Sequence, residues 1–311
     1  MKAIHVYLQG GLGNQCFIYA AARALALRAQ ASVSINLDYF AEDYVYKRKL
    51  ALNQFYCPLE ISNLNNKLVR MLKLLRYKVL RDRVARIGNL CIDRRPFYFS
   101  ELPTEWRGTL TIDGYWQSEK YFYDARGQIV EDFRLRDDVW IGSDPVADQI
   151  RGVDNSVFIH LRSYKEVPGK RDGRCAQQML VYYRNAIAYV FEHIDNPAFF
   201  VFSDDIGFAK TLLSPLFAVS GFRSSINYVE TLHRDTAATG NYKCPMGQIR
   251  DFTLMRLCKH GIVADSSFSW WAGWLGEQER IARGEQPIRL HVNRRVMNDD
   301  FWPERWVAVD G

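Results

Sequence analysis

The sequence predicts an α/β protein built from two halves. Strand and helix patterns alternate along the 311 residues, a Gly-rich turn joins the first strand to the first helix, and the alternation starts again after Asp144-Pro145. A strand, a Gly-rich turn, a helix and a second strand form a βαβ unit, which implies a parallel sheet with a right-handed crossover. Since a domain takes roughly 150 residues, we predict one α/β domain over residues 1–150 and a second over residues 151–311.

The first half contains short runs of alternating or β-branched apolar residues and one long run rich in Ala and Leu. Short runs of this kind predict strands, and the long run predicts a helix. The predicted elements are a strand at Ala3–Leu8, a turn at residues 10–14, a helix at Gln15–Ala31, a strand at Ser32–Leu37, a helix at Leu64–Ile87 and a strand at Thr109–Tyr115.

The second half repeats the pattern with strands that are almost wholly apolar. Proline marks two of the predicted helix ends, because it cannot donate the hydrogen bond that a helix interior needs. The predicted strands are Ser156–Leu161, Ala198–Ser203 and Gly261–Ala264, and the predicted helices are Leu180–Ile194, Ile206–Leu213 (ending before Pro215), Asp251–Lys259 and Ser269–Gly276.

Composition excludes several classes of protein. Hydrophobic residues make up 48% and charged residues 24%, which is typical of a globular chain and excludes disordered, collagenous and coiled-coil proteins. The six cysteines form no CxxC pair and no His/Cys cluster, which favours free thiols in a reducing compartment over a disulfide framework or a metal site. The first apolar run is too short for a signal peptide, and no run approaches the ~18 apolar residues of a transmembrane helix. We therefore expect a cytoplasmic protein.

The segment 67–86 is strongly basic. It holds eight Lys and Arg residues and one acidic residue, interleaved with Leu, Met and Val, within a chain of net charge +6. An amphipathic helix of this kind suits peripheral contact with anionic lipid at the inner membrane face, or binding of a polyphosphate. A solvated helix face packed on its own domain explains the pattern equally well. A nucleic acid partner is not favoured, because the charge is confined to one segment.

Gly10-Gly11-Leu12-Gly13-Asn14-Gln15 follows the first strand and opens the first helix. Glycines at a helix N-terminus allow backbone N–H groups to approach an anion. The loop lacks the Gly-Lys-Ser/Thr of a Walker A motif, and Cys16 breaks the GxGxxG register of dinucleotide sites. The alternative is a simple turn between a strand and a helix.

Two further motifs follow strands of the second half, where parallel sheets hold ligands. In His160-Leu161-Arg162, the guanidinium suits a phosphate, and the imidazole suits a nucleobase or sugar. In Phe202-Ser203-Asp204-Asp205, the carboxylates suit the N–H groups of guanine or a ribose. The alternatives are a buried ion pair or core histidine for the first motif and a helix N-cap for the second, with one role for each Asp also allowed.

A fourth motif runs from Asp251 to Trp271 and ends in Asp265-Ser-Ser-Phe-Ser-Trp-Trp. A hydroxyl-rich turn at a helix start would bind phosphate through Ser266, Ser267 and Ser269. Trp270 and Trp271 would line a sugar pocket. The alternative is capping serines with core tryptophans.

Taken together, these motifs resemble those of the bacterial and animal α-1,2-fucosyltransferases, glycosyltransferase family 11. The resemblance runs in order along nearly the whole chain. The matching segments are Gly10–Ala20, Gly114–Phe122, Tyr182–Ile187, Phe202–Asp205 and Asp251–Trp271.

The resemblance implies a GT-B architecture, with two Rossmann-like domains facing across a cleft. It implies an inverting transfer of L-fucose from GDP-β-L-fucose, without a metal ion. The expected acceptor is the 2-hydroxyl of a terminal galactose in a surface polysaccharide or oligosaccharide, such as a lipid-linked O-antigen repeat of lipopolysaccharide. The N-terminal domain would face the acceptor, and the C-terminal domain would bind the donor.

The resemblance also implies roles for particular residues. Arg162 would stabilise charge on the β-phosphate, and His160 with Asp204 or Asp205 would hold guanine and ribose. No motif identifies the general base; its candidates are Glu166, Asp38 and Asp172. The remaining donor contacts would come from Gly11, Asn14, Gln15, Ser266, Ser267 and Phe268.

The chain departs from the family pattern at two places. Members usually have His-x-Arg-Arg-Gly-Asp, whereas residues 160–165 are His-Leu-Arg-Ser-Tyr-Lys, and Asp265 replaces an Asn. Ser163 and Lys165 thus stand where members have Arg and Asp, and Glu166 is the nearest carboxylate that would replace the latter. These changes leave two alternatives open: transfer of another GDP-sugar or another linkage, and a non-catalytic carbohydrate-binding or regulatory protein.

Overall fold

A computed structural model describes residues 2–43, 47–62, 89–93, 95–139, 144–164, 173–219, 226–230, 246–293 and 300–311. The chain divides into two compact units. Unit 1 comprises Met1–Val139 with Asp299–Pro303, and unit 2 comprises Trp140–Asn298 with Glu304–Gly311. The predicted helix at Leu64–Ile87, and with it the basic segment 67–86, lies outside the described residues.

The sheet of unit 1 has five strands, all parallel, in the order β3-β2-β1-β5-β4. In chain order the strands are β1 (Ala3–Tyr7), β2 (Ser32–Asn36), β3 (Glu60–Ile61), β4 (Leu90–Ile92) and β5 (Thr109–Asp113). Ala3 pairs with Ser32 on one side and with Thr109 on the other. The central strand β1 thus leads into the Gly-rich loop between two parallel neighbours.

Helix α1 packs on this sheet, and α3 packs on α1. The described helices are α1 (Leu12–Ala29), α2 (Asp38–Glu42) and α3 (Arg126–Asp132), with 3-10 turns at Leu52–Gln54, Glu119–Tyr121 and Tyr123–Ala125. Helix α1 begins three residues earlier than predicted, so Asn14 lies in its first turn. Residues 299–303 complete the unit, because Phe301 packs on Phe17 and Asp300 accepts hydrogen bonds from Lys120 and Phe99.

The sheet of unit 2 has six parallel strands in the order β11-β10-β9-β6-β7-β8. In chain order they are β6 (Ser156–Leu161), β7 (Ala198–Ser203), β8 (Ile226–Tyr228), β9 (His260–Ile262), β10 (Arg289–Val292) and β11 (Val307–Val309). Every residue of β6 and β7 is buried, as expected for central strands of a parallel sheet covered on both faces. Their bounds match the sequence prediction.

Five helices of unit 2 are described: α4 (Pro145–Arg151), α5 (Gly173–His193), α6 (Ile206–Val219), α7 (Met246–Leu257) and α8 (Ser267–Ile281). The predicted end of α6 before Pro215 is wrong, since the helix continues through this proline to Val219. Leu216 and Phe217 pack on the core of the unit beyond the proline. Their burial outweighs the one helical hydrogen bond that proline removes.

The boundary between the two units lies earlier in the sequence than we predicted, after Val139 and not after residue 150. Helix α4 belongs to unit 2 because Asp144, which caps its first turn at Val146, is also paired with the buried Arg250 of α7. Within the described ranges, no helix is both long enough and apolar enough to cross a bilayer.

Candidate functional site

The carboxyl ends of β6, β7 and β9 bring three of the sequence motifs together. Leu161 pairs with Ser203, and Ile159 pairs with Ile262, so the three neighbouring strands end at the same edge of the sheet. The loops that follow carry Arg162, Asp204 and the Ser266 turn. This edge of unit 2 is where a parallel α/β sheet binds ligands.

Arg162 and Asp204 form an ion pair at this edge. Nη1 of Arg162 lies 2.8 Å from Oδ2 of Asp204, and the backbone N–H of Ser163 donates to Oδ1 at 2.7 Å. The two side chains are 24% and 18% exposed, so the guanidinium is held in place yet remains accessible from solvent. The structure thus gives Asp204 a role that the sequence did not predict, namely orienting Arg162.

His160 lies beneath Arg162 and is buried. Its ring packs on that of Phe268 with centroids 5.6 Å apart, and its carbonyl accepts from the Tyr183 hydroxyl at 2.7 Å. Burial, assisted by the nearby positive charge of Arg162, lowers the pKa of His160 to about 4, so the imidazole is neutral near pH 7. Nδ1 is buried with no hydrogen-bond partner among the described residues, which makes it suitable for contact with a ligand.

Asp205 has a structural role at the start of α6, and its contact with the donor stays a prediction. Its Oδ1 accepts from the backbone N–H of Phe208 at 3.0 Å, and its own N–H donates to Oγ of Ser203. These bonds satisfy donors that the first turn of α6 would otherwise leave unpaired. The two aspartates of the motif therefore have different functions.

The N-terminus of α8 lies at the same edge. Ser266 is its N-cap residue, and Oγ accepts from the N–H of Phe268 at 3.4 Å. Ser266, Ser267 and Phe268 are half-buried, Asp265 is exposed, and the first turn contains no acidic residue. The positive end of the helix dipole and accessible N–H groups make this turn suitable for an anion.

The prediction that Trp270 and Trp271 line a sugar pocket is wrong. Both side chains are fully buried, as is Trp274, and the rings of Trp270 and Trp274 stack at 6.2 Å. Since α8 must pack on the sheet, aromatic residues in its first two turns fill the core, and only the residues of its N-terminal turn reach the edge.

Unit 1 has a polar edge of its own at the carboxyl ends of β1 and β5. Nε2 of Gln117, after β5, donates to Oδ1 of Asn14 at 3.1 Å. Gly10 has φ +78°, and a Cβ there would lie 2.8 Å from the Asn14 amide, so only glycine fits. Gly11 precedes α1 and faces Arg48, whose guanidinium would lie 3.6 Å from a Cβ at residue 11.

Gln15 does not contact a ligand with its side chain, contrary to our prediction. It is fully buried, its Nε2 donates to the carbonyls of Gly10 and Lys49, and its Oε1 accepts from the N–H of Ala51. The amide therefore ties the Gly-rich loop to the segment 49–51. Because this segment is distant in sequence, the motif alone gave no indication of the contact.

The sequence motifs gave no role to Asp93 and Asp113, which lie at the ends of β4 and β5. Oδ1 of Asp93 accepts from the N–H of Arg95, and its Oδ2 accepts from the N–H of Trp116, a residue with φ +53°. Burial raises the pKa of Asp93, and the adjacent Asp113 adds to this effect. Asp93 lies directly after β4, and Asp113 is the last residue of β5, so a carboxylate at the end of an apolar run was a usable signal.

Of the three carboxylates predicted as a general base, the structure describes Asp38. It is exposed after β2 and bonded to Asn36 through both its carboxylate and its N–H. Glu166 and Asp172, together with Lys165, lie outside the described residues. In the described part of the chain, no three His, Cys, Asp or Glu side chains are grouped in a way that suits a metal ion.

Comparison with known proteins gives a family match over most of the chain. The sequence model of glycosyl transferase family 11 matches residues 4–287. Two curated relatives come from Escherichia coli. An alpha-1,2-colitosyltransferase is 27% identical over 100% of both chains. The O-antigen biosynthesis glycosyltransferase WbnK is 24% identical over 95% of this chain and 98% of its own length.

Among solved structures, the fucosyltransferase NodZ from Bradyrhizobium is similar in fold. The TM-score is 0.51 at 13% identity, over 87% of this chain and 90% of NodZ. A second structure, of NodZ alpha-1,6-fucosyltransferase soaked with GDP-fucose, gives 0.50 at 14% identity, over 87% and 91%. At these identities the likeness shows the fold alone, and it confirms the predicted α/β fold of the GT-B type.

Proposed function

Because the chain belongs to glycosyl transferase family 11, we propose that it transfers L-fucose from GDP-β-L-fucose to a glycan hydroxyl. The observation that carries this proposal is the edge of unit 2, where Arg162, held by Asp204, and the N-terminus of α8 follow neighbouring strands of the sheet. A guanidinium and a helix N-terminus are complementary to a diphosphate. Unit 1 would bind the acceptor, through residues after β1 such as Gly11 and Asn14.

The proposed reaction is a single displacement with inversion at the anomeric carbon. The acceptor oxygen forms a bond to C1 as the bond from C1 to the β-phosphate oxygen breaks, and GDP leaves with the electron pair. Negative charge grows on the β-phosphate. Arg162 would stabilise it, together with the hydroxyls and N–H groups of Ser266 and Ser267, without a metal ion.

The buried imidazole and its aromatic neighbour suit the nucleoside part of the donor. Neutral His160 presents Nδ1 for a hydrogen bond to guanine or ribose, and Phe268 supplies an apolar surface beside it. If Asp204 also contacts the nucleoside, it does so while keeping its ion pair with Arg162.

The acceptor proton would pass to Glu166, which replaces the carboxylate that the family motif has at position 165. A general base must lie within hydrogen-bond reach of the hydroxyl. Replacing Glu166 by Gln therefore lowers kcat while GDP binding stays intact, and an unchanged kcat would remove Glu166 from the mechanism.

We propose an O-antigen repeat as acceptor, through the 2-hydroxyl of a terminal galactose. The names of the two Escherichia coli relatives, an alpha-1,2-colitosyltransferase and an O-antigen biosynthesis glycosyltransferase, support both the linkage and the polymer. A lipid-linked acceptor agrees with the basic segment 67–86. Neutralising Arg76, Lys78, Arg81 and Arg83 would then weaken binding to anionic vesicles, and unchanged binding would refute the membrane contact.

A second candidate is transfer of colitose, which is fucose without its 3-hydroxyl group. The 27% identity to the colitosyltransferase over both whole chains favours it. The deciding assay compares kcat/KM for GDP-fucose and GDP-colitose on one galactose-terminated acceptor. A preference for GDP-colitose would make this the function, and absence of turnover with any GDP-sugar would favour a non-catalytic protein.

Arg162 provides a direct test of the diphosphate site. Replacing Arg162 by Ala removes a donor aimed at developing charge, so kcat with GDP-fucose should fall roughly 10²–10³-fold. The matched control is Arg151→Ala, which removes an exposed arginine of the same unit that pairs with Asp148. Near-normal turnover by the Arg162 variant, or an equal loss in the control, would contradict the proposal.

A further inference from the structure

Tyr164 has a backbone conformation that its residue type disfavours. It lies two residues after Arg162, where members of the family usually have Gly, and its φ of +51° is in the left-handed region. A Cβ makes this region costly, whereas glycine adopts it freely. Such a residue persists when its side chain makes compensating contacts.

The first contact crosses between two loops. The Tyr164 hydroxyl donates to the carbonyl oxygen of Asp265. Tyr164 lies in the loop after β6, and Asp265 lies after β9 and immediately before the N-cap Ser266. This hydrogen bond therefore links the loop that departs from the family pattern at residues 163–165 to the backbone of the turn before α8.

The second contact involves Arg162. Its Cζ lies 5.8 Å from the centre of the Tyr164 ring, within the range of a cation–π interaction. Asp204 holds the same guanidinium through an ion pair. One tyrosine thus touches the arginine through its ring and the turn before α8 through its hydroxyl.

We infer that Tyr164 is a positioning residue that fixes Arg162 relative to the N-terminus of α8, so that both meet the leaving diphosphate. The inference rests on the proposed function. Ser163, where members have a second arginine, is fully buried. In this chain, therefore, one arginine and a tyrosine organise the edge that members organise with two arginines.

The test uses two variants and a matched control in the whole chain. Tyr164→Phe keeps the ring and removes the hydrogen bond, whereas Tyr164→Gly restores the family residue and removes both contacts. The control is Tyr182→Phe, because the Tyr182 hydroxyl also donates to a carbonyl beside β9, that of Val263 at 2.7 Å, but from the core of unit 2. For each protein we measure Tm, kcat, KM for GDP-fucose and the Kd of GDP.

Small displacements of catalytic groups cost rate more than ground-state binding, so kcat of Tyr164→Phe should fall roughly tenfold, with KM changed less than about threefold. Tyr164→Gly should be slower still, yet its Tm should equal or exceed that of the wild type, because the left-handed backbone is relaxed. Tyr182→Phe should lower Tm and keep kcat within about twofold.

Two results overturn the inference while leaving the proposed function intact. One is that wild-type protein binds GDP and both Tyr164 variants retain wild-type kcat. The other is that their kcat falls only where Tm falls, as a purely structural tyrosine predicts. If the wild type binds no GDP, the proposed function fails, and the positioning role fails with it.

Discussion

At the scale of single residues, neighbours in one motif have separate tasks. Asp204 orients Arg162 through an ion pair at 2.8 Å, whereas Asp205 satisfies the N–H groups of the helix that follows. The sequence allowed a ligand role and a capping role for the pair. The structure separates the two roles: Asp204 pairs with Arg162 at the end of β7, and Asp205 caps the start of α6.

Replacing Asp204 by Asn keeps the size of the side chain and removes its charge. Arg162 then loses the partner that orients it, so kcat/KM with GDP-fucose should fall roughly tenfold, while stability changes little because the pair is partly exposed. Steady-state kinetics check this, with Asp148→Asn, the exposed partner of Arg151, as the control. Equal kinetic constants for the two variants would refute the orienting role.

Several residue roles were beyond what the sequence could predict, for a common physical reason. The amide of Gln15 is bound by Lys49 and Ala51, and Trp271 is buried in the core. Both depend on contacts between segments distant in sequence, and a motif records which residues are present but not what covers them. The positions of Arg162 and Ser266 were predictable, because the end of a strand and the start of a helix fix where these residues lie.

At the scale of elements, strands were predicted more accurately than helix ends. The bounds of β6 and β7 match because a run of buried apolar residues stops where the polar edge begins. Helix α6 extends past Pro215 because core packing of Leu216 and Phe217 overrides a local signal. The local pattern thus sets both bounds of these strands, whereas tertiary packing sets where α6 ends.

The start of α6 supplies a prediction about stability. Replacing Asp205 by Ala removes the acceptor of the Phe208 N–H, so the free energy of unfolding should fall by about 1 kcal/mol. Asp205→Asn should recover most of this loss, since asparagine is also a good N-cap. Urea denaturation followed by far-UV circular dichroism measures both, and equal stability of the Ala variant and the wild type would show that the cap contributes nothing.

At the scale of the whole molecule, unit 2 contains several buried histidines that are neutral near pH 7. Burial lowers the pKa of His160 and His291 to about 4, and burial with nearby Arg and Lys charges lowers that of His260 to about 3. Protonation in the unfolded chain begins near 6.5. Below that pH the unfolded state binds more protons than the folded state, so acid favours unfolding.

Stability should therefore be complete above about pH 6.5 and decline as the pH falls towards 4, by up to about 1.4 kcal/mol per pH unit for each such histidine. Thermal unfolding between about pH 7.5 and about pH 5 measures the decline. His260→Asn should flatten it, because asparagine still accepts from the Ile288 N–H but does not titrate. The exposed His193→Asn is the control, and a slope unchanged by either variant would exclude His260 as a cause.

The division into two α/β units was foreseeable, but the course of the chain between them was not. Alternating strand and helix patterns predict two parallel sheets. Nothing in residues 299–303 predicts that they belong to unit 1, because their assignment depends on the side chains of Phe17 and Lys120 and on the backbone N–H of Phe99. Short return segments of this kind have no periodicity of their own.

Because residues 299–303 belong to unit 1, no single division of the sequence separates the two units. A fragment ending at Val139 would lack Phe301, leave Phe17 without one of its aromatic neighbours and lack the carboxylate that binds Lys120. A fragment starting at residue 140 would carry residues 299–303 without the rest of unit 1, to which they belong. Shuffling the two units between homologous enzymes therefore requires two exchanged segments, and the short one is as necessary as the long one.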